Sequence, residues 1–155
     1  MLYLLRHAHA GSPEAWTGDD AARPLSPKGE RQADRLGRFL AAAAIEPGVL
    51  ISSPKLRALQ TAEIVGRHLD VAVTTDERLA GGLDLATIEA ILRDAGRPDH
   101  VILTGHDPEF SELLATLTGA HRTTLRKGAI ASIDAELPLA EASAALRWLI
   151  SPDLL

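Results

Sequence analysis

At 155 residues, with 46% hydrophobic and 24% charged side chains, the chain has the size and balance of one globular domain spanning residues 1–155 with its own core. A net charge of −5 argues against a general nucleic-acid binder, which carries a basic patch or stripe. The absence of cysteine excludes disulfides, thiolate catalysis and Cys-ligated zinc. No apolar run is long enough for a signal peptide or a membrane span, so no membrane partner and a cytoplasmic address are expected.

The chain opens on an unbroken apolar run, Leu2 to Leu5, that stops at Arg6-His7. A short continuous run of this kind suits a strand buried on both faces of a helix-covered sheet. Gly11 to Pro24, rich in Gly, Pro and Asp, reads as a loop. Ser26-Pro27 is a good helix start, and Ala33, Leu36, Leu40 and Ala43 recur at helical spacing until Pro47-Gly48. Val49 to Ile51 is a second buried strand. Ser53 is placed to cap the helix that follows, whose stripe is Ala58, Thr61, Ala62, Val65 and Leu69. Val71 to Val73 forms a third strand nearer a sheet edge. After the break at Gly81-Gly82, Leu85, Ile88, Ile91 and Leu92 mark a helix closed by Gly96 and Pro98. His100 to Thr104 gives a fourth strand, and Phe110, Leu113, Leu114 and Leu117 the inner stripe of a fourth helix. Ala129 to Ala135 and Ala144 to Ile150 read as two antiparallel strands. There is no repeat, linker or low-complexity segment. The pattern predicts a single-domain three-layer α/β sandwich: a mostly parallel central sheet, helices on both faces, antiparallel C-terminal strands.

In such a sheet, ligands bind just beyond the carboxyl ends of the strands. Three strand ends here deliver polar groups: Arg6-His7, the Ser53 to Arg57 segment, and His106. The set makes chemical sense for a phosphoryl group. Two guanidinium forks can grip phosphate oxygens. A neutral imidazole has a free ring-nitrogen lone pair for nucleophilic attack, and a second imidazole, if protonated, can neutralise charge on the equatorial oxygens.

Arg6-His7, Ser53-Pro54-x-x-Arg57-Ala58-x-Gln60-Thr61-Ala62 and Gly105-His106 resemble the histidine phosphatase superfamily, which also contains the phosphoglycerate mutases. Arg23-Pro24-Leu25-Ser26-x-x-Gly29, Ala129-Ile130-Ala131-Ser132 and Trp148-x-x-Ser151-Pro152 resemble its small SixA-type phosphohistidine phosphatases. The resemblance spans almost the whole chain. It implies that His7 is the nucleophile, that Arg6, Arg57 and His106 complete the phosphate pocket, and that no metal or organic cofactor is required.

Two departures from the family pattern stand out. Ala8 follows His7 where the family usually has glycine, a change that bears on the turn and on the hydrogen bond orienting the His7 ring. Larger members also place a glutamate acid after the third strand, where this chain has Leu79-Ala80-Gly81-Gly82. Glu77, Glu109, Asp107, Asp19 and Asp20 are the remaining candidates for a general acid. An alkoxide leaving group gains roughly 10²–10⁴-fold from such an acid. An imidazole, with a conjugate-acid pKa of roughly 6.5, leaves without one. The expectation is therefore a metal-independent phosphohistidine phosphatase acting on a phosphohistidine-containing protein. The alternatives are a small-molecule phosphomonoesterase and a non-catalytic phosphate-binding module. A metal hydrolase is a further alternative, because Arg6-His7-Ala8-His9 contains His-x-His and His106-Asp107 could add ligands. Lys127 and Arg126, before the Gly128-Ala129 strand, read as a solvated loop, with a place at the border of the site as the alternative. His68, His100 and His121 sit in no motif and read as structural or exposed.

Overall fold

The computed structural model describes residues 1–155. β1 (Leu2–Arg6) lies inside a six-stranded sheet of order β3-β2-β4-β1-β5-β6, with β2 at Val49–Ser52, β3 at Val73–Thr75, β4 at Val101–Gly105, β5 at Ile130–Asp134 and β6 at Ala145–Ile150. The first four strands run parallel, and β5 and β6 are antiparallel additions beyond β1. That is the predicted sandwich.

Each face of β1 meets a different layer, which is why the run Leu2 to Leu5 has no polar alternation. Leu2 and Leu4 join Ile51, Leu103, Ala131 and Ile133 under α3 (Leu85–Asp94) and α4 (Glu109–Thr118), which contribute Ile88, Ile91, Phe110 and Leu114. Tyr3 and Leu5 join Leu50, Ile102 and Ile130 under α1 (Pro27–Ala42) and α2 (Leu56–Leu69), which contribute Leu36, Leu40, Ala62 and Val65. His68 of α2 pairs with Asp34 of α1 at 2.8 Å, and the Tyr3 hydroxyl lies 3.4 Å from His100, so both histidines are structural. No helix is long and apolar enough to cross a membrane.

Three local expectations shift. The third strand begins at Val73 because Asp70 adopts the left-handed conformation and the Val71 amide closes the end of α2 on the Gly66 carbonyl. Ala43 is exposed at the end of α1 rather than on its stripe. The Gly11 to Pro24 loop contains two short 3-10 turns, Pro13–Ala15 and Asp20–Ala22.

The register aligns the strand ends that matter. Arg6 faces Gly105, and Ser52 faces Thr104, so the residues that follow β1, β2 and β4 leave the sheet at one edge. Two close approaches fix the chain there. A Cβ on Gly29 would stand 1.9 Å from the His9 carbonyl oxygen, so the first turn of α1 packs directly on the backbone after His7. A Cβ on Gly105 would stand 2.6 Å from the Phe110 ring, which fills the space below the His106 turn.

Candidate active site

His7 leaves β1 with its amide donating to the Gly105 carbonyl at 3.0 Å. The residue is 6% exposed. Nδ1 lies 2.8 Å from the Ala8 carbonyl oxygen, and since a carbonyl only accepts, Nδ1 carries the proton and Nε2 keeps its lone pair. Ala8 therefore preserves the contact that orients the ring. Its methyl is buried beside Ala10, Leu25 and Ala33, and its amide donates to Thr61 Oγ1 at 3.0 Å. Thr61 in turn donates to the Arg57 carbonyl at 2.7 Å, so one hydroxyl ties the His7 loop to α2.

His106 follows β4, 7% exposed, with its ring centroid 5.2 Å from that of His7. Its Nε2 shares a 2.8 Å hydrogen bond with Ser53 Oγ. Ser53 was expected to cap α2. The helix instead begins at Leu56 after Lys55, and Ser53 Oγ, besides accepting the Lys55 amide at 3.3 Å, is committed to His106.

Both imidazoles are pushed down to about 3. For His7 the largest cause is burial, opposed by the Ala8 carbonyl and reinforced by the cations Arg57, Arg6 and Lys127. For His106 burial again leads, followed by His7, Arg57 and Lys55. Both rings are thus neutral at physiological pH.

Arg6 donates from Nη1 to the Leu125 carbonyl at 2.7 Å and to Asp107 Oδ2 at 3.3 Å. Arg57 is 6% exposed and donates from Nη1 to the Asp20 carbonyl at 2.8 Å and from Nη2 to Asp20 Oδ2 at 3.0 Å. In both residues the Nε–H is buried and has no protein partner, and His106 Nδ1 is likewise unpartnered. Buried donors without partners are rare, because each forfeits its solvation. Lys127 is half-buried beside them: the next residue, Gly128, donates its amide to the His7 and Arg6 carbonyls at 2.9 and 3.2 Å, which pins the segment beside the pocket. Burial and the neighbouring Arg6, Arg23 and Arg57 lower the Lys127 pKa.

The structure thus brings Arg6, His7, Arg57 and His106 to one edge of the sheet. His9 turns away: its Nδ1 lies 2.7 Å from Ser26 Oγ, its amide donates to Gln32 at 3.0 Å, and the His-x-His pair does not converge. No group of three or more His, Asp or Glu side chains is gathered as a metal-binding set. Among the candidate acids, Asp107 accepts from Ser111 as well as Arg6, Asp19 caps the turn at Ala21, and Asp20 is held by two arginines. Glu77 is exposed. Glu109 rises from the first turn of α4 against Gly81, 3.7 Å from where a Cβ would stand. Arg126 is exposed and pairs with Asp153. The bridging roles of Thr61, Gln32 and Asp20 escaped the motif reading, because each acts through a partner distant in sequence.

The sequence model of the histidine phosphatase superfamily (branch 1) matches residues 2–81, which carry His7 and Arg57. An uncharacterized protein of the cyanobacterium Picosynechococcus is 33% identical over 138 residues, covering 83% of this chain and 81% of that one. An 8-oxo-(d)GTP phosphatase of Mycolicibacterium smegmatis is 30% identical over 106 residues, covering 66% of this chain and 32% of that longer protein. Among solved structures, the protein histidine phosphatase SixA complexed with tungstate superposes with a TM-score of 0.85 at 25% identity, over 99% of this chain and 97% of that one. A match running from β1 through α2, together with a relative aligned over four-fifths of both sequences, establishes that the chain belongs to the histidine phosphatase superfamily.

Proposed function

We propose that the protein is a phosphatase that takes a phosphoryl group onto His7 Nε2, with a protein phosphohistidine as its substrate. The observation that carries the reading is the pair of buried, unpartnered Nε–H donors on Arg6 and Arg57 flanking a neutral His7. A tetrahedral oxyanion between the two guanidinium groups satisfies both donors. The likeness to a SixA structure holding tungstate, itself a tetrahedral oxyanion, supports this use of the pocket.

In this mechanism the His7 Nε2 lone pair attacks phosphorus as the bond from phosphorus to the substrate imidazole breaks. The leaving imidazole departs neutral when its other ring nitrogen carries a proton, so no side-chain acid is needed. Water then attacks the phospho-His7 intermediate, releasing inorganic phosphate and returning the lone pair to Nε2. The Ala8 carbonyl holds the ring in place throughout and supports positive charge at Nδ1. Burial keeps His7 unprotonated. The phosphoryl charge raises the proton affinity of the adjacent His106, which becomes the neutralising partner once substrate is bound.

Three of the five candidate acids are tied into the hydrogen bonds described above, which favours a leaving group that needs none. Glu109 against Gly81 favours a second reading, phosphate-ester hydrolysis, and the relative named as an 8-oxo-(d)GTP phosphatase is consistent with it. The test is a parallel turnover measurement on a phosphohistidine protein, an aryl phosphate and phosphoserine. The expected order of kcat/KM is phosphohistidine, then aryl phosphate, then phosphoserine. Equal rates on phosphoserine that collapse in Glu109→Gln would replace the first reading with the second. No turnover on any of them, with phosphate still bound, would leave the binding module.

A further inference from the structure

Asp20 was a candidate acid, yet its surroundings fit a different task. It sits in the second 3-10 turn of the loop after His7, its side chain 55% exposed, and both carboxylate oxygens are engaged. Oδ2 accepts from Arg57 Nη2 at 3.0 Å, Oδ1 accepts from Arg23 Nε at 3.0 Å, and its backbone carbonyl accepts from Arg57 Nη1 at 2.8 Å. Arg23 continues the chain of contacts, donating from Nη1 to the Ala10 carbonyl at 2.7 Å, three residues beyond His7. Both arginine side chains are only 7% exposed.

We propose that Asp20 is a positioning residue, clamping the end-on N–H pair of Arg57 so that the remaining Nε edge is presented to the phosphoryl group. This rests on the phosphate pocket proposed above. A guanidinium offers five N–H donors in a rigid fork, and Asp20 takes one from each terminal nitrogen. The buried Nε–H is left without a protein partner. A long, rotamer-rich side chain held this way loses no further freedom when the anion arrives. A carboxylate paired with two arginines is also poorly suited to proton donation, because both cations hold it ionised.

The test is a double-mutant cycle in the full-length protein. It reads kcat and KM on phosphohistidine and, independently of turnover, the affinity for inorganic phosphate by calorimetry. Asp20→Ala is expected to lower kcat/KM by roughly ten- to a hundredfold, the scale of a misplaced positioning group, and to weaken phosphate binding. In an Arg57→Ala background, where nothing is left to position, Asp20→Ala should change either quantity by less than about twofold. Asp20→Asn keeps an acceptor oxygen and the backbone contact, so it should recover most of the loss and leave the alkaline limb of the pH profile in place. Equal fold-losses in both backgrounds would overturn the inference. So would an Asp20→Asn as damaging as Asp20→Ala with the alkaline limb gone, since that marks an acid. If the wild type turns over no phosphohistidine, the proposed function fails while the phosphate-binding cycle still decides the role of Asp20. Because Asp20 lies in an exposed turn, thermal melts of each variant should match the wild type within a few degrees, and a wholesale loss of folding in Asp20→Asn would also overturn it.

Discussion

Two buried neutral imidazoles make stability depend on pH in a direction the structure fixes. His7 and His106 are pushed down to about 3 when folded, while an unfolded histidine titrates at about 6.5. Below about pH 6.5 the unfolded chain binds protons that the native state refuses, so stability falls as the medium is acidified, down to about pH 3. Between pH 7 and pH 5 each residue is worth up to about 2 kcal/mol by linkage, and the pair up to about 4 kcal/mol. That is a large share of the stability of an ordinary domain. The assay is urea unfolding at pH 7 and pH 5, followed by tryptophan fluorescence, for the wild type, His7→Gln and His106→Gln. Each substitution removes one titrating ring, so its loss between the two pH values should be smaller than the wild type's by about 2 kcal/mol. Carboxylates and the other histidines titrate alike in all three proteins and cancel in the comparison. A wild-type loss that neither substitution reduces would refute the claim that these rings are held neutral by burial.

Rapid quenching with labelled substrate should trap an acid-labile, base-stable phosphoryl label that persists in EDTA; His7→Ala should abolish it, and His9→Ala should retain it. Lys127 has no ion-pair partner among nine such pairs, so Lys127→Ala should weaken inhibition by inorganic phosphate by roughly tenfold, the loss of one charge-assisted contact. Gly29→Ala would set a Cβ 1.9 Å from the His9 carbonyl oxygen, and should destabilise by at least about 1–3 kcal/mol in denaturant unfolding while also slowing turnover, since that backbone continues from His7.

The succession of strands and helices was legible because it rests on local physics. An apolar run without alternation states that both faces of β1 are covered, and Leu2 with Leu4 and Tyr3 with Leu5 divide between two core layers accordingly. The parallel pairing of β1 and β2 with β4 then brings Arg6, His7, Arg57 and His106 to one edge. Where local signals competed, the sequence misled. Ser53 has the chemistry of a helix cap, yet its hydroxyl is drawn to His106, which only the pairing of β2 with β4 brings near.

What the sequence by itself determined is therefore the layered sheet and the identity of the groups at its mouth. What only the tertiary structure decided is how those groups are held and which protons they carry. The Ala8 carbonyl sets the tautomer of His7, Thr61 ties that loop to α2, and Asp20 takes one edge of the Arg57 fork. Burial, not the residue type, makes both imidazoles neutral. The physical reason is that periodicity and capping act over a few residues. Hydrogen-bond partnership and desolvation depend instead on distances between segments that lie tens of residues apart in the chain.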